Sequence, residues 1–176
     1  MTAMLPPALV VMGVSGSGKS HVGAALAAAS GSRFLDADDL HPPANLRKMA
    51  AGTPLDDADR TPWLDAVAAW IAARQAGDEG CVVACSALRR AYRDRLRAGV
   101  PQTLVFAHLD VPRDELARRM RGRRHFMPPS LLDSQLATLE PPTADEDACI
   151  LDGTRPLEQN VARLQAWLAT RTSNTG

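Results

Sequence analysis

The chain has 176 residues, 45% of them hydrophobic, enough for one domain with a full-sized core that needs no disulfide or metal to hold it together. Twenty Lys plus Arg balance twenty Asp plus Glu, which excludes a general binder of nucleic acid or anionic membrane, whose affinity comes from excess basic charge. No apolar run approaches the ~18 residues of a membrane span.

Ala8 to Val14 is a continuous apolar run and predicts a first strand, followed by a helix from about Lys19 to Ala29. With no basic segment before it, that run does not read as a signal peptide. Arg33 to Asp36 predicts a short second strand, and His41 to Ala76 a helical, turn-rich stretch carrying Pro42-Pro43, Asp56-Asp57 and Pro62. Cys81 to Ser86 predicts a third strand, with a helix from about Ala87 to Arg97. Thr103 to Leu109 predicts a fourth, with a helix from about Arg113 to Met120. The arginine-rich segment Arg121 to Pro129 has no clear period, and a helix over Ser130 to Leu139 follows it. Ala148 to Leu151 predicts a fifth strand, Leu157 to Ala169 a closing helix, and the polar tail from Thr170 a frayed end. The strands are continuously apolar rather than alternating, the pattern of a parallel sheet covered on both faces. The expected fold is therefore an α/β sandwich with right-handed crossovers. Cys81, Cys85 and Cys149 form neither a CxxC pair nor a zinc pattern and read as buried, inert thiols, which points to a cytoplasmic protein.

Gly13-Val14-Ser15-Gly16-Ser17-Gly18-Lys19-Ser20 matches G-x-x-x-x-G-K-[ST] between a buried strand and a helix, the context a phosphate-binding loop requires. The glycines let backbone N–H groups turn inward to phosphate oxygens, and the helix N-terminus adds partial positive charge. Lys19 supplies a compact ammonium for the β- and γ-phosphates, and Ser20 a hydroxyl for Mg²⁺. Only Lys19 and Lys48 among the twenty cations are lysines. Arginine bias explains the background, phosphate geometry explains Lys19, and Lys48 reads either as functional or as a solvated helix position. Nucleoside-triphosphate binding follows.

No N-K-x-D guanine-reading motif is present, and the chain has no room for the partner domain of a transporter ATPase. A small kinase remains, and it needs a base, acceptor-binding groups, a cation-bearing lid and a purine site. Asp36 and Asp38 close the second strand at the ligand-binding edge of the sheet. In extended chain they would point to the same side, Asp36 to the Mg²⁺ water shell and Asp38 to the acceptor's proton. The competing reading is that Asp38 or Asp39 caps the next helix. Arg118, Arg119, Arg121, Arg123 and Arg124 cluster as a lid spanning 118–129, with Arg121 and Arg123 expected to neutralise the transferring phosphoryl group. Arg118 and Arg119 read equally as surface or adenine-stacking residues. His125 reads as lying near acceptor or phosphate, or as structural. Arg155 and Pro156, after the fifth strand, are expected to flank the purine.

Several ordered blocks resemble the gluconate kinases (gluconokinases). They are Asp36-Ala37-Asp38-Asp39-Leu40-His41-Pro42; Asn45-Leu46-Arg47-Lys48-Met49; Gly52-Thr53-Pro54-Leu55; Asp57-Ala58-Asp59-Arg60-Thr61-Pro62-Trp63-Leu64; Cys85-Ser86-Ala87-Leu88-Arg89-Arg90; and His125-Phe126-Met127-Pro128 with Leu131-Leu132-Asp133-Ser134-Gln135. The similarity runs from about Val10 to Asp152. It implies a five-stranded P-loop kinase fold like that of shikimate and adenylate kinases, and phosphorylation of D-gluconate to 6-phospho-D-gluconate by ATP. It also implies a homodimer. The implied gluconate site comprises Asp38, His41, Arg47 and Lys48, with Arg60, Ser86, Arg89 and His125 nearby and Gln135 across from them. The implied organisation is one domain over 1–170, with core 8–36 and 81–170 and acceptor-binding region 37–76. Two departures stand out: Ala37 replaces the family's usual glycine, and Arg124 precedes His125 where glycine is usual, leaving the lid register open. Another hydroxy-acid kinase, shikimate-like, or a nucleotide-driven module acting on a partner remain as alternatives.

Overall fold

The computed structural model describes residues 7–122 and 129–173. Five strands form one parallel sheet in the order β2-β3-β1-β4-β5. They are β1 (Ala8–Met12), β2 (Arg33–Asp36), β3 (Cys81–Ala84), β4 (Leu104–Asp110) and β5 (Ala148–Asp152). The helices are α1 (Lys19–Ser30), α2 (Pro43–Ala50), α3 (Asp57–Ala76), α4 (Arg90–Ala98), α5 (Arg113–Arg121), α6 (Pro129–Thr138) and α7 (Leu157–Ser173).

The continuous apolar runs have a direct cause. Successive strand residues alternate sides, and both sides are covered. Val10, Met12, Val83 and Phe106 pack with Trp63, Val67 and Ile71 of α3 and Leu96 of α4. Leu9, Val11, Val82 and Val105 pack on the other face with Val22 and Leu26 of α1 and Leu164 of α7. Each such aliphatic side chain contributes about 1.5–3 kcal/mol by leaving water. A third cluster, Val14, Leu88, Val111, Leu116, Met120 and Leu132, seals α5 and α6 over the C-terminal edge of the sheet.

That edge carries the site. The helices after the neighbouring strands β1 and β3 lie on opposite faces, so a crevice opens between their C-terminal ends, where α/β sheets take ligands. Gly13 N–H donates to Ser86 C=O (3.3 Å) across this crevice, which fixes the phosphate loop against the loop after β3.

Two helix boundaries differ from the sequence reading. Helix α4 starts at Arg90, not Ala87, because Ala87 takes φ +44° and the carbonyls of Ala87 and Leu88 accept from Arg93 Nη1 (2.9 and 3.3 Å) instead of entering a helix. Helix α7 runs to Ser173, past the expected frayed start at Thr170. There the Arg171 guanidinium pairs with Asp147 and lies 4.0 Å over the Trp167 ring, holding the last turn in place.

Candidate active site

The phosphate loop is built as its glycines require. Gly13, Gly16 and Gly18 adopt φ of +148°, +83° and +97°, open to glycine and strained for other residues. A Cβ on Gly13 would stand 2.8 Å from Ser17 Oγ and 3.0 Å from Leu109 C=O, so side chains are excluded from the cradle. Gly18 caps α1, whose first residue Lys19 turns Nζ back to donate to Val14 C=O (3.1 Å). Ser17 Oγ is buried without a hydrogen-bond partner, and Ser20 Oγ donates to Asp36 Oδ2 (2.7 Å). A hydroxyl and a carboxylate side by side at the mouth of a loop of inward N–H groups suit a hard cation and a polyphosphate.

Asp36 and Asp38 do not share an extended strand. The chain turns into one 3₁₀ turn at Ala37–Leu40, capped by Asp36, whose Oδ1 accepts from Asp38 N–H (3.0 Å). The capping role considered for Asp38 or Asp39 therefore belongs to Asp36, and the Asp38 carboxyl is left open to the cleft, 75% accessible. Partial enclosure by the cleft raises its pKa, and Lys19 pulls in the opposite direction. Ala37 is fully buried with negative φ, so a methyl group is accommodated where the family carries glycine; its C=O accepts from Trp63 Nε1 (2.7 Å).

Beside the phosphate loop lies a cavity of about 120 Å³ into which Ser15, Asp38, His41, Arg60, Ser86 and Gln135 bring polar groups, with Trp63, Leu88 and Leu131 among its apolar walls. Arg60 is aimed by Tyr92: its Nη1 donates to the phenol oxygen (3.0 Å), which donates to Asp57 Oδ1 (2.5 Å). Gln135 reaches from α6 to the phosphate loop, its Oε1 accepting from Ser15 N–H (2.7 Å). His41 is buried and stacks on Trp63 at 4.2 Å.

Three expected acceptor residues do not line this cavity. Lys48 is paired with Asp59 (2.7 Å), Arg47 is exposed on α2, and Arg89 is exposed at the N-cap of α4. Arg155 pairs with Asp152 (3.6 Å) at a separate cavity of about 450 Å³, with exposed Pro156 just before α7. Arg121 is exposed at the end of α5; Arg123, Arg124 and His125 lie outside the described residues. Sequence reasoning missed what Arg119 does: it donates to Gly16 C=O (3.0 Å), Ser17 C=O (3.3 Å) and Gly153 C=O (2.7 Å), clamping the phosphate loop to the loop after β5. The flanking apolar pair Leu116 and Met120 was the available signal, since it turns position 119 toward the covered side of α5.

Burial lowers the pKa of both His41 and His108, so folding favours their neutral forms. Their contribution to stability is complete above the unfolded value near 6.5 and is lost as pH falls through the lower folded values. Thermal melts between about pH 7.5 and pH 5.5 should show a falling midpoint, and a flat profile would contradict this assignment.

A phosphate loop at the centre of a 2-3-1-4-5 parallel sheet, with a polar cleft opening beside it, defines a P-loop small-molecule kinase. A family profile described as an AAA domain matches residues 9–142. The gluconokinase of Gluconobacter oxydans (strain 621H) is 47% identical over 92% of this chain and 93% of its own. The thermoresistant gluconokinase of Escherichia coli (strain K12) is 44% identical over 87% and 88%. The crystal structure of a gluconokinase from Sinorhizobium meliloti 1021 superposes with a TM-score of 0.88, at 48% identity over 98% of this chain and 97% of the other. This chain belongs to the gluconokinase family. A shikimate kinase from Bacteroides thetaiotaomicron, 19% identical with a TM-score of 0.62, shares the fold.

Proposed function

We infer that this protein transfers the γ-phosphoryl group of ATP to the terminal hydroxyl of D-gluconate, giving ADP and 6-phospho-D-gluconate. The observation that carries the reading is the single cleft that joins Asp38, Arg60 and Gln135 to Ser15 of the phosphate loop. Asp38 takes the hydroxyl proton as that oxygen bonds to the γ-phosphorus and the bond to the ADP oxygen breaks. Arg60 receives the sugar-acid carboxylate as a fork, a role that falls to it rather than to Lys48, whose ammonium Asp59 engages. His41, Ser86 and Gln135 order the hydroxyls. Ser20 and Asp36 would hold Mg²⁺, which when bound neutralises charge on the β- and γ-phosphates. Arg121 and Arg123 belong to a lid that excludes water, the competing acceptor. Arg155 and Pro156 flank the purine.

Release of ADP by the purified protein tests this directly. It should require D-gluconate and not respond to shikimate. ADP appearing equally without gluconate would sink the kinase reading, and a response to shikimate alone would sink the substrate.

A cytoplasmic setting agrees with three buried thiols, none in a disulfide, and no helix among the described residues is long and apolar enough to cross a membrane. For the homodimer, exposed Ile150 and Leu157 at the β5–α7 edge offer apolar surface, and light scattering decides the state.

A further inference from the structure

We propose that Asn45 is a positioning residue for phosphoryl transfer: it locks His41 as the tautomer protonated on Nε2, so that this N–H, and not a lone pair, faces the Asp38 carboxylate.

Asn45 lies on α2, only 3% exposed, among the Asn45-Leu46-Arg47-Lys48-Met49 block. Its Nδ2 is 3.0 Å from the backbone carbonyl of Asp59. A carbonyl oxygen can only accept, so the nitrogen end of the amide must face it, and the amide cannot be reversed without losing that bond. The same Nδ2 is 3.2 Å from His41 Nδ1. An amide nitrogen can only donate, so Nδ1 must accept, and the proton of a neutral imidazole then resides on Nε2.

The ring has little freedom to escape this assignment. It stacks on Trp63 at 4.2 Å with 15° between planes, and Trp63 is itself tied to Ala37 C=O. The charged groups facing His41 are Asp36 at the end of β2, Asp38 from the turn that follows it and Arg60 from α3. On its own side, Lys48 of α2 is engaged by Asp59.

Nε2 stands 3.7 Å from Asp38 Oδ1. That is too long to occupy the carboxylate as a hydrogen bond, yet close enough to orient it by the N–H dipole. The lone pairs of Asp38 stay available for the acceptor's proton. The opposite tautomer would set a lone pair against the carboxylate and turn it away. Asn45 therefore acts on the reacting centre through His41, without touching substrate.

The proposal rests on the kinase reading for its kinetic arm alone. Gluconate-dependent turnover of the wild type, measured first, tests that reading separately. The structural arm uses ¹⁵N-histidine-labelled full-length protein at about pH 8.5, where imidazoles are neutral, with His41→Gln to assign the signal. One-bond and long-range ¹⁵N–¹H correlations should show His41 protonated on Nε2 and bare on Nδ1. In Asn45→Asp the group facing Nδ1 becomes an acceptor, and the proton should move to Nδ1. Gluconate-dependent kcat should then fall about 10-fold or more, with KM for ATP unchanged. Asn45→Ala, which removes the donor without adding charge, should lose the single tautomer and lower kcat in the same sense. Asn45→Ser, whose hydroxyl can still donate, should restore part of both. A wild-type His41 protonated on Nδ1 overturns the proposal. So does an Asn45→Ala protein that keeps Nε2–H, or one with the tautomer lost and kcat unchanged.

Discussion

Asp38→Asn is expected to lower gluconate-dependent kcat by about three orders of magnitude while leaving ATP affinity nearly unchanged. The amide keeps the size of the side chain but cannot take a proton from the acceptor hydroxyl. The fold should not register the change, because Asp36, not Asp38, caps the 3₁₀ turn and the Asp38 side chain is open to the cleft. Steady-state kinetics, a direct ATP titration and a melting curve together isolate the effect. Near-wild-type turnover would remove Asp38 from the chemistry.

Glu146→Ala should instead destabilise the protein severely. Glu146 and Arg93 form a bidentate pair at 2.7 and 3.0 Å with side chains 1% and 0% exposed. The guanidinium holds the Glu146 carboxyl down at a pKa of about 2. Removing one partner strands a buried charge, at a cost of about 3–5 kcal/mol. For a chain of this length that lowers the melting midpoint by roughly 10 °C. Replacing both partners, as Arg93→Met with Glu146→Leu, should recover only part of the loss, since it removes the stranded charge but takes their partner from the Ala87 carbonyl and the Thr143 N–H. Denaturant unfolding of the two single variants and the double variant measures this, and a Glu146→Ala loss below about 1 kcal/mol would refute it. Arg93 also holds the Ala87 and Leu88 carbonyls, so the single variants should loosen Ser86 at the cleft as well.

The sheet was legible because both of its faces are buried, which turns strands into unbroken apolar runs, and the phosphate loop because its glycines and lysine serve local geometry. What escaped depended on partners distant in sequence. Lys48 reads equally as an acceptor ligand or a solvated helix position, and nothing beside it in sequence shows that Asp59, on another helix, engages it. Helix α4 seemed to begin at Ala87 because nothing nearby shows that Arg93, locked to Glu146, takes the carbonyls a helix would have used. Asp36 and Asp38 were expected to share an extended strand, but the chain bends between them, so one organises the turn and the other is presented by it.

The strand order also dictates when the protein can acquire its nucleotide site. Every strand is parallel to its neighbours, and each pair is separated in sequence by at least one helix, so no hairpin can form early and seed the sheet. Chain closure over long loops must precede any strand pairing, which makes folding slow for its size. Strand β1, which feeds the phosphate loop, needs both β3 and β4 in register beside it. The nucleotide cradle therefore cannot exist until segments more than 60 residues apart in the chain have come together, whichever edge strand joins last.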